Sequence, residues 1–63
     1  MILYNFNGIR VPREGALKAW RASKTYQNAR FPDEIFLKAE RGEDWGGVTT
    51  HLKEARIRIV LEN

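Results

Sequence analysis

Cysteine is absent from these 63 residues, and serine and histidine occur once each, as Ser23 and His51. The missing cysteine excludes disulfides and thiolate metal sites, and it fits a reducing compartment. A hydrolytic triad needs Ser23, His51 and either Asp33 or Asp44 to converge from distant segments, and no nucleophile-elbow context surrounds Ser23. Long apolar runs are also missing. The longest aliphatic stretch, Ile59-Val60-Leu61, is far too short to span a bilayer. The start, MILYNFNG, has neither the basic region nor the long apolar core of a signal peptide. These absences lead to the expectation of a complete, soluble, cytoplasmic protein that makes no membrane contact.

Signatures of catalysis and metal binding are equally scarce. Glu43-Asp44 lacks the periodic oxygen ligands and central glycine of a calcium loop. Gly46-Gly47 follows no strand and carries no lysine, unlike a phosphate-cradling loop. Asp33 and Glu34 have a sufficient role in the first turn of a helix. The expectation is a protein that is not an enzyme and holds no cofactor or metal.

Enough apolar residues are present, seven of them aromatic, to build one small globular domain over residues 1–63 rather than a disordered chain. A core of this size supplies a net stability on the order of 3–5 kcal/mol. Residues 2–11 read as a β-hairpin. Ile2, Tyr4 and Phe6 alternate with Leu3 and Asn5, Ile9 and Val11 flank Arg10, and Asn7-Gly8 suits the positive φ angles of a type I′ turn.

Two segments, VPREGALKAWR at 11–21 and FPDEIFLKAER at 31–41, then share the frame Pro-x-Glu-x-x-Leu-Lys-Ala-x-Arg. Pro12 and Pro32 suit a first helical position, and Glu14 and Glu34 a first turn. The frame predicts helices over 12–24 and 32–41, the second stopped by Gly42, with a short connection over 25–31. Ala16, Leu17, Ala19 and Trp20 form the buried stripe of the first helix. Ile35, Phe36 and Ala39 form that of the second, with Leu37 on its far side. Beyond the turn-rich GEDWGG, residues 55–61 read as a strand, with Val48 to Leu52 as its hairpin partner and Lys53-Glu54 at the turn; a helix starting after Thr50 competes with this reading. The fold class is α+β: an N-terminal hairpin, two short helices and a C-terminal strand or hairpin completing an antiparallel or mixed sheet.

Charge is unevenly distributed. Residues 1–30 carry +5 and residues 31–63 carry −2, which suggests an electropositive side toward an anionic partner. Residues 20–32, WRASKTYQNARFP, combine cations and rings without a carboxylate. Arg10 and Arg13 lie at the hairpin exit, Lys18 and Arg21 on the outer side of the first helix, and Lys24 and Arg30 beside the following loop. Arg56 and Arg58 point from the last strand to the face opposite Ile57 and Ile59. Together these residues are expected to form one connected patch, in which Tyr26, Gln27 and Asn28 supply a ring and two amides to stack on or read bases. Trp20 belongs with the core because it shares a helical phase with Ala16 and Ala19.

The expected function is a small basic nucleic-acid-binding regulator or accessory protein of phage or plasmid type, with DNA preferred over RNA. An acidic second helix would be a poor reader of the major groove, so the hairpin and first helix would carry the contact. The alternative is a protein–protein interaction module, such as an inhibitor seated on an acidic face of a larger enzyme or a subunit of a homodimer. It would use Leu37, Trp45 and the edge of the C-terminal strand.

Overall fold

A computed structural model describes residues 1–43 and 47–62. Strands β1 (Ile2–Phe6) and β2 (Ile9–Val11) form the hairpin, followed by helices α1 (Arg13–Arg21), α2 (Lys24–Asn28), α3 (Pro32–Glu40) and α4 (Val48–Glu54) and strand β3 (Ile57–Leu61). The strands make one antiparallel sheet in the order β2-β1-β3. The fold is therefore a small α+β domain, with the first strand at the centre of its sheet.

The hairpin turns as its dipeptide requires. Asn7 and Gly8 both adopt positive φ, 55° and 79°, the geometry of a type I′ turn. The register follows: Tyr4 opposes Val11 and Phe6 opposes Ile9 across the hairpin, while Tyr4 opposes Ile59 and Phe6 opposes Ile57 on the other side. With a side-chain period of two, this alignment gathers Tyr4, Phe6, Val11, Ile57 and Ile59 onto one face, where all five join the core.

Helix α1 begins one residue later than its proline suggests. Pro12 is the N-cap, in extended geometry, and its carbonyl accepts from the Ala16 N–H at 3.1 Å. In α3, Pro32 does occupy the first turn. Both stripes lie inward as their periodicity demands: Ala16, Trp20 and Phe36 are buried, Leu17, Ala19, Ile35 and Ala39 pack against them, and Leu37 is exposed. The Trp20 indole N–H donates to Pro32 O at 2.9 Å, so its one polar atom is satisfied inside the core. Helix α3 ends where Gly42 takes φ 76°. Its N–H bonds to Ala39 O, and the Glu43 N–H to Lys38 O, the paired bonds of a Schellman cap.

Two segments differ from the sequence expectation. The first helix, expected over 12–24, stops at Arg21. Helix α2 (Lys24–Asn28) takes up the end of that span and the start of the 25–31 connection, because the Ser23 Oγ accepts from the Tyr26 N–H at 3.1 Å and caps a new short helix. Residues 48–52, expected as a strand with a turn at Lys53-Glu54, are instead helical, and His51 is a helical rather than a strand residue. The β-branched run Val48-Thr49-Thr50 argues for a strand by propensity, but Val48, Leu52 and Ala55 are all buried, the spacing of one helical face. Core packing outweighs the local preference. Gly47, at φ 86°, opens this helix, and Arg56, at φ 64°, closes it before β3 begins.

Candidate nucleic-acid interface

Every residue in the buried core comes from the helices, from Ala55 at the C-cap of α4, or from one face of the sheet. The other face of the sheet is turned away from it. On that face the register aligns Arg10, Asn5 and Arg58 in one cross-strand row and sets Leu3 beside Val60. Strands lie about 4.8 Å apart, so the two arginines are rooted about 10 Å from each other with an amide between them. Arg10 and Arg58 are both exposed, and among the described residues neither takes part in a salt bridge.

The row continues to the hairpin tip. The Asn7 N–H donates to Arg56 O at 3.0 Å, and the Arg56 guanidinium reaches Asn7 Oδ1 at 3.5 Å. Arg56 was expected on the last strand with Arg58; it sits instead in the left-handed turn before β3, and these contacts with Asn7 hold it there. Behind the tip lies an open groove of about 620 Å³ whose lining includes Phe6, Asn7, Lys18, Ala19, Glu54 and Arg56. Lys18 and Arg56 are therefore brought to one depression, and Glu54 is the acid beside them.

Other cations are engaged elsewhere. Arg13 grips Glu40 through both guanidinium edges, Nε to Oε2 at 2.6 Å and Nη2 to Oε1 at 3.1 Å, and lies 5.7 Å from the Phe36 ring centroid. The Tyr4 hydroxyl donates to the same Glu40 carboxylate. The Arg13 hydrogen bonds hold the Glu40 carboxyl below its ordinary range despite its burial, while burial and the Glu40 contact push the Tyr4 hydroxyl upward. Arg21 faces Asp33 at 3.9 Å, and Arg41 is bound to Glu43.

The basic, aromatic stretch divides along the same lines. The Tyr26 ring meets Trp20 edge to face at 5.7 Å, and its hydroxyl donates to Asp33 Oδ1 at 3.0 Å. That hydrogen bond raises its pKa more than its partial burial does. The ring is half-buried, and its contact with Trp20 and its bonded hydroxyl tie it to the helical corner. Lys24, Gln27 and Asn28 are exposed on α2, and Arg30 lies over the Phe31 ring at 5.8 Å. These residues form a corner at the α1–α2–α3 junction. Trp45 lies outside the described residues.

Ser23 is committed to structure. Its Oγ also donates to Trp20 O at 2.6 Å. His51 Nδ1 lies 2.7 Å from Gly47 O at the start of α4. Among the described residues no three metal-ligating side chains converge, and no helix is long and apolar enough to cross a membrane. Two residues that the sequence reading does not single out are Asn5, in the centre of the cross-strand row, and Glu40, the acceptor for Tyr4 and Arg13. Asn5 was detectable as the polar residue in the outward phase of β1. Glu40 was detectable as a carboxylate in the inward phase of α3, four residues after Phe36. No protein-family model matches the chain, and neither a curated protein nor a solved structure is significantly similar to it.

Proposed function

We propose that the protein binds nucleic acid, duplex DNA first, through the open face of its sheet and the adjoining hairpin tip, and acts as a small regulator or accessory factor. One observation carries the reading: the helices cover a single face of the sheet, and the uncovered face presents the Arg10–Asn5–Arg58 row without a salt bridge among the described residues. A sheet of this width is compatible with a major groove about 12 Å across. Arginine reads guanine and asparagine reads adenine through paired hydrogen bonds, while Arg56 beside the tip and Lys18 in the groove behind it supply phosphate contacts. Arg13 is left out of this surface because Glu40 neutralises it. Arg21, Lys24, Gln27, Asn28 and Arg30 belong to the helical corner and are secondary to it.

Salt titration of binding to a short duplex and to single strands tests the proposal. Each phosphate contact on a duplex adds about 0.9 to the log–log salt slope, so Arg56 and Lys18 predict a slope of about −1.8, rising to about −3.6 where Arg10 and Arg58 also reach phosphates. Replacing Arg10 and Arg58 together by Gln should weaken duplex binding and, where both reach phosphates, flatten the slope by about 1.8. Both side chains lie on the solvent face, so circular dichroism should be unchanged. An affinity that ignores ionic strength, or is indifferent to the double replacement, rejects the reading.

The protein-interaction reading rests on a separate observation: Leu37 is 40% exposed on the outer side of α3. A complex that persists at high salt and is lost with Leu37→Asp would favour it.

A further inference from the structure

The two edges of the sheet are protected very differently. The β2 edge is three residues long and is followed at once by Pro12, a combination that discourages further pairing. The β3 edge runs Ile57–Leu61 without proline. Its bonding parity is fixed by its partner. Glu62 exchanges backbone hydrogen bonds with Met1 at 2.7 and 2.8 Å, and the Arg56 carbonyl accepts from the Asn7 N–H. Residues 56, 58, 60 and 62 therefore turn their backbone groups toward β1. Ile57, Ile59 and Leu61 turn theirs outward, to an edge that no other strand pairs with among the described residues.

We propose that this edge pairs with the β3 of a second copy of the chain, antiparallel about a two-fold axis at Ile59, and so joins two sheets into one. The order of residues along the strand supports a self-partner. In Arg56-Ile-Arg-Ile-Val-Leu-Glu62, pairing about Ile59 sets Ile59 against its own counterpart and Ile57 against Leu61 in both directions. These are the outward-facing residues, and each such pair exchanges two hydrogen bonds. Just beyond the two strand ends the same register brings Arg56 of one copy near Glu62 of the other, opposite charges where like charges would repel. Shifting the axis to Arg58 would oppose two arginines. Shifting it to Val60 would set the apolar Ile57 against the polar Asn63 in sequence register.

The inward side of the edge fits the same partner. A groove of about 560 Å³ follows it, lined in part by Ala39, Leu52, Lys53, Ile57, Ile59 and Leu61. Leu61 is 48% exposed there. In the paired arrangement the Leu61 of each copy would lie beside Ile57 of the other, over this groove, and apolar surface would be covered on both copies. A domain of this size gains proportionally more from association than a larger one does. The interface is a C2 contact between identical strands, the commonest closed symmetry, and it leaves the outer face of both sheets open. It does not depend on the nucleic-acid reading.

Sedimentation equilibrium over a wide concentration range, combined with cysteine cross-linking, tests the pairing. The natural chain has no cysteine, so any disulfide is an engineered one. The mass should rise from one chain toward two with concentration, and Leu61→Lys should abolish the rise while circular dichroism is preserved. Glu62→Arg should weaken the dimer, and adding Arg56→Glu to it should restore the dimer. In mild oxidant, a mixture of Arg58→Cys and Val60→Cys chains should cross-link, whereas each variant alone should not. A mass that stays monomeric at every concentration overturns the proposal. So does a dimer indifferent to Leu61→Lys, or cross-linking by Val60→Cys alone, which would report a different register.

Discussion

Replacing Glu40 with Leu isolates the contact that ties the hairpin to both long helices. In the folded chain the Glu40 carboxylate accepts from the Tyr4 hydroxyl on β1 and from two nitrogens of Arg13 on α1. Tyr4 is only 7% exposed, and its ring stacks on Phe36 with centroids 6.1 Å apart and planes within 5°. Leucine would fill similar space but leave the part-buried phenol hydroxyl without its acceptor. An orphaned buried hydroxyl costs about 1–3 kcal/mol. The Arg13 arm adds little to this, since that side chain is half exposed and solvent screens it.

A loss of about 2 kcal/mol is a large share of the net ~3–5 kcal/mol expected for so small a core. It should lower the thermal midpoint by about 8–16 °C, at about 4–8 °C per kcal/mol. Urea unfolding of the single variants Glu40→Leu and Tyr4→Phe, and of the double variant, separates this mechanism from general core damage. When both partners become apolar the orphaned group disappears, so the double variant should be less destabilised than the two single costs combined. Strict additivity of the two costs would refute the reasoning.

Three further outcomes follow from other parts of the structure. The Glu40 carboxyl is held below its ordinary value of 4.5, chiefly by Arg13. A depressed folded value contributes stability above the unfolded pKa and loses it as pH falls through the folded one, so urea midpoints should fall in acid below about 4.5, and less steeply in Glu40→Leu; equal acid slopes would contradict this. Arg56 holds φ 64°, a conformation that costs a side-chain-bearing residue about 1 kcal/mol. Arg56→Gly should therefore raise stability by about 0.5–1 kcal/mol by urea titration, while weakening nucleic-acid binding and reducing its salt slope by about 0.9; a stabilised variant with unchanged binding would remove Arg56 from the interface. Ser23→Ala removes the cap of α2 and should cost about 1 kcal/mol in the same assay; no change would mean that packing of Tyr26 alone holds that turn.

Local grammar was strongest where one residue type has a single conformational use. Asn7-Gly8 announced its turn, Gly42 its helix end, and the repeated Pro-x-Glu frame its two helix starts, because each acts through backbone geometry within a few residues. The frame also shows where such reading stops. It sets Trp20 and Glu40 at the same inward phase, yet one is an apolar core anchor and the other a carboxylate held by Tyr4 and Arg13. Nothing near Glu40 in the chain announces a partner 27 residues away on another helix.

By itself, then, the sequence determined the hairpin, the inward stripes of α1 and α3, the terminal strand, and the excess of positive charge in the first half. Tertiary structure decided that Val48–Glu54 is a helix, since burial of Val48, Leu52 and Ala55 on one side outweighs β-branched propensity. It also decided which cations meet an acid: Arg13, Arg21 and Arg41 do so among the described residues. Arg13 and Arg58 are indistinguishable as letters, but sheet register carries one outward beside Asn5, whereas helix packing turns the other onto Glu40. Charge is a property of residues; an electropositive surface is a property of how distant segments meet.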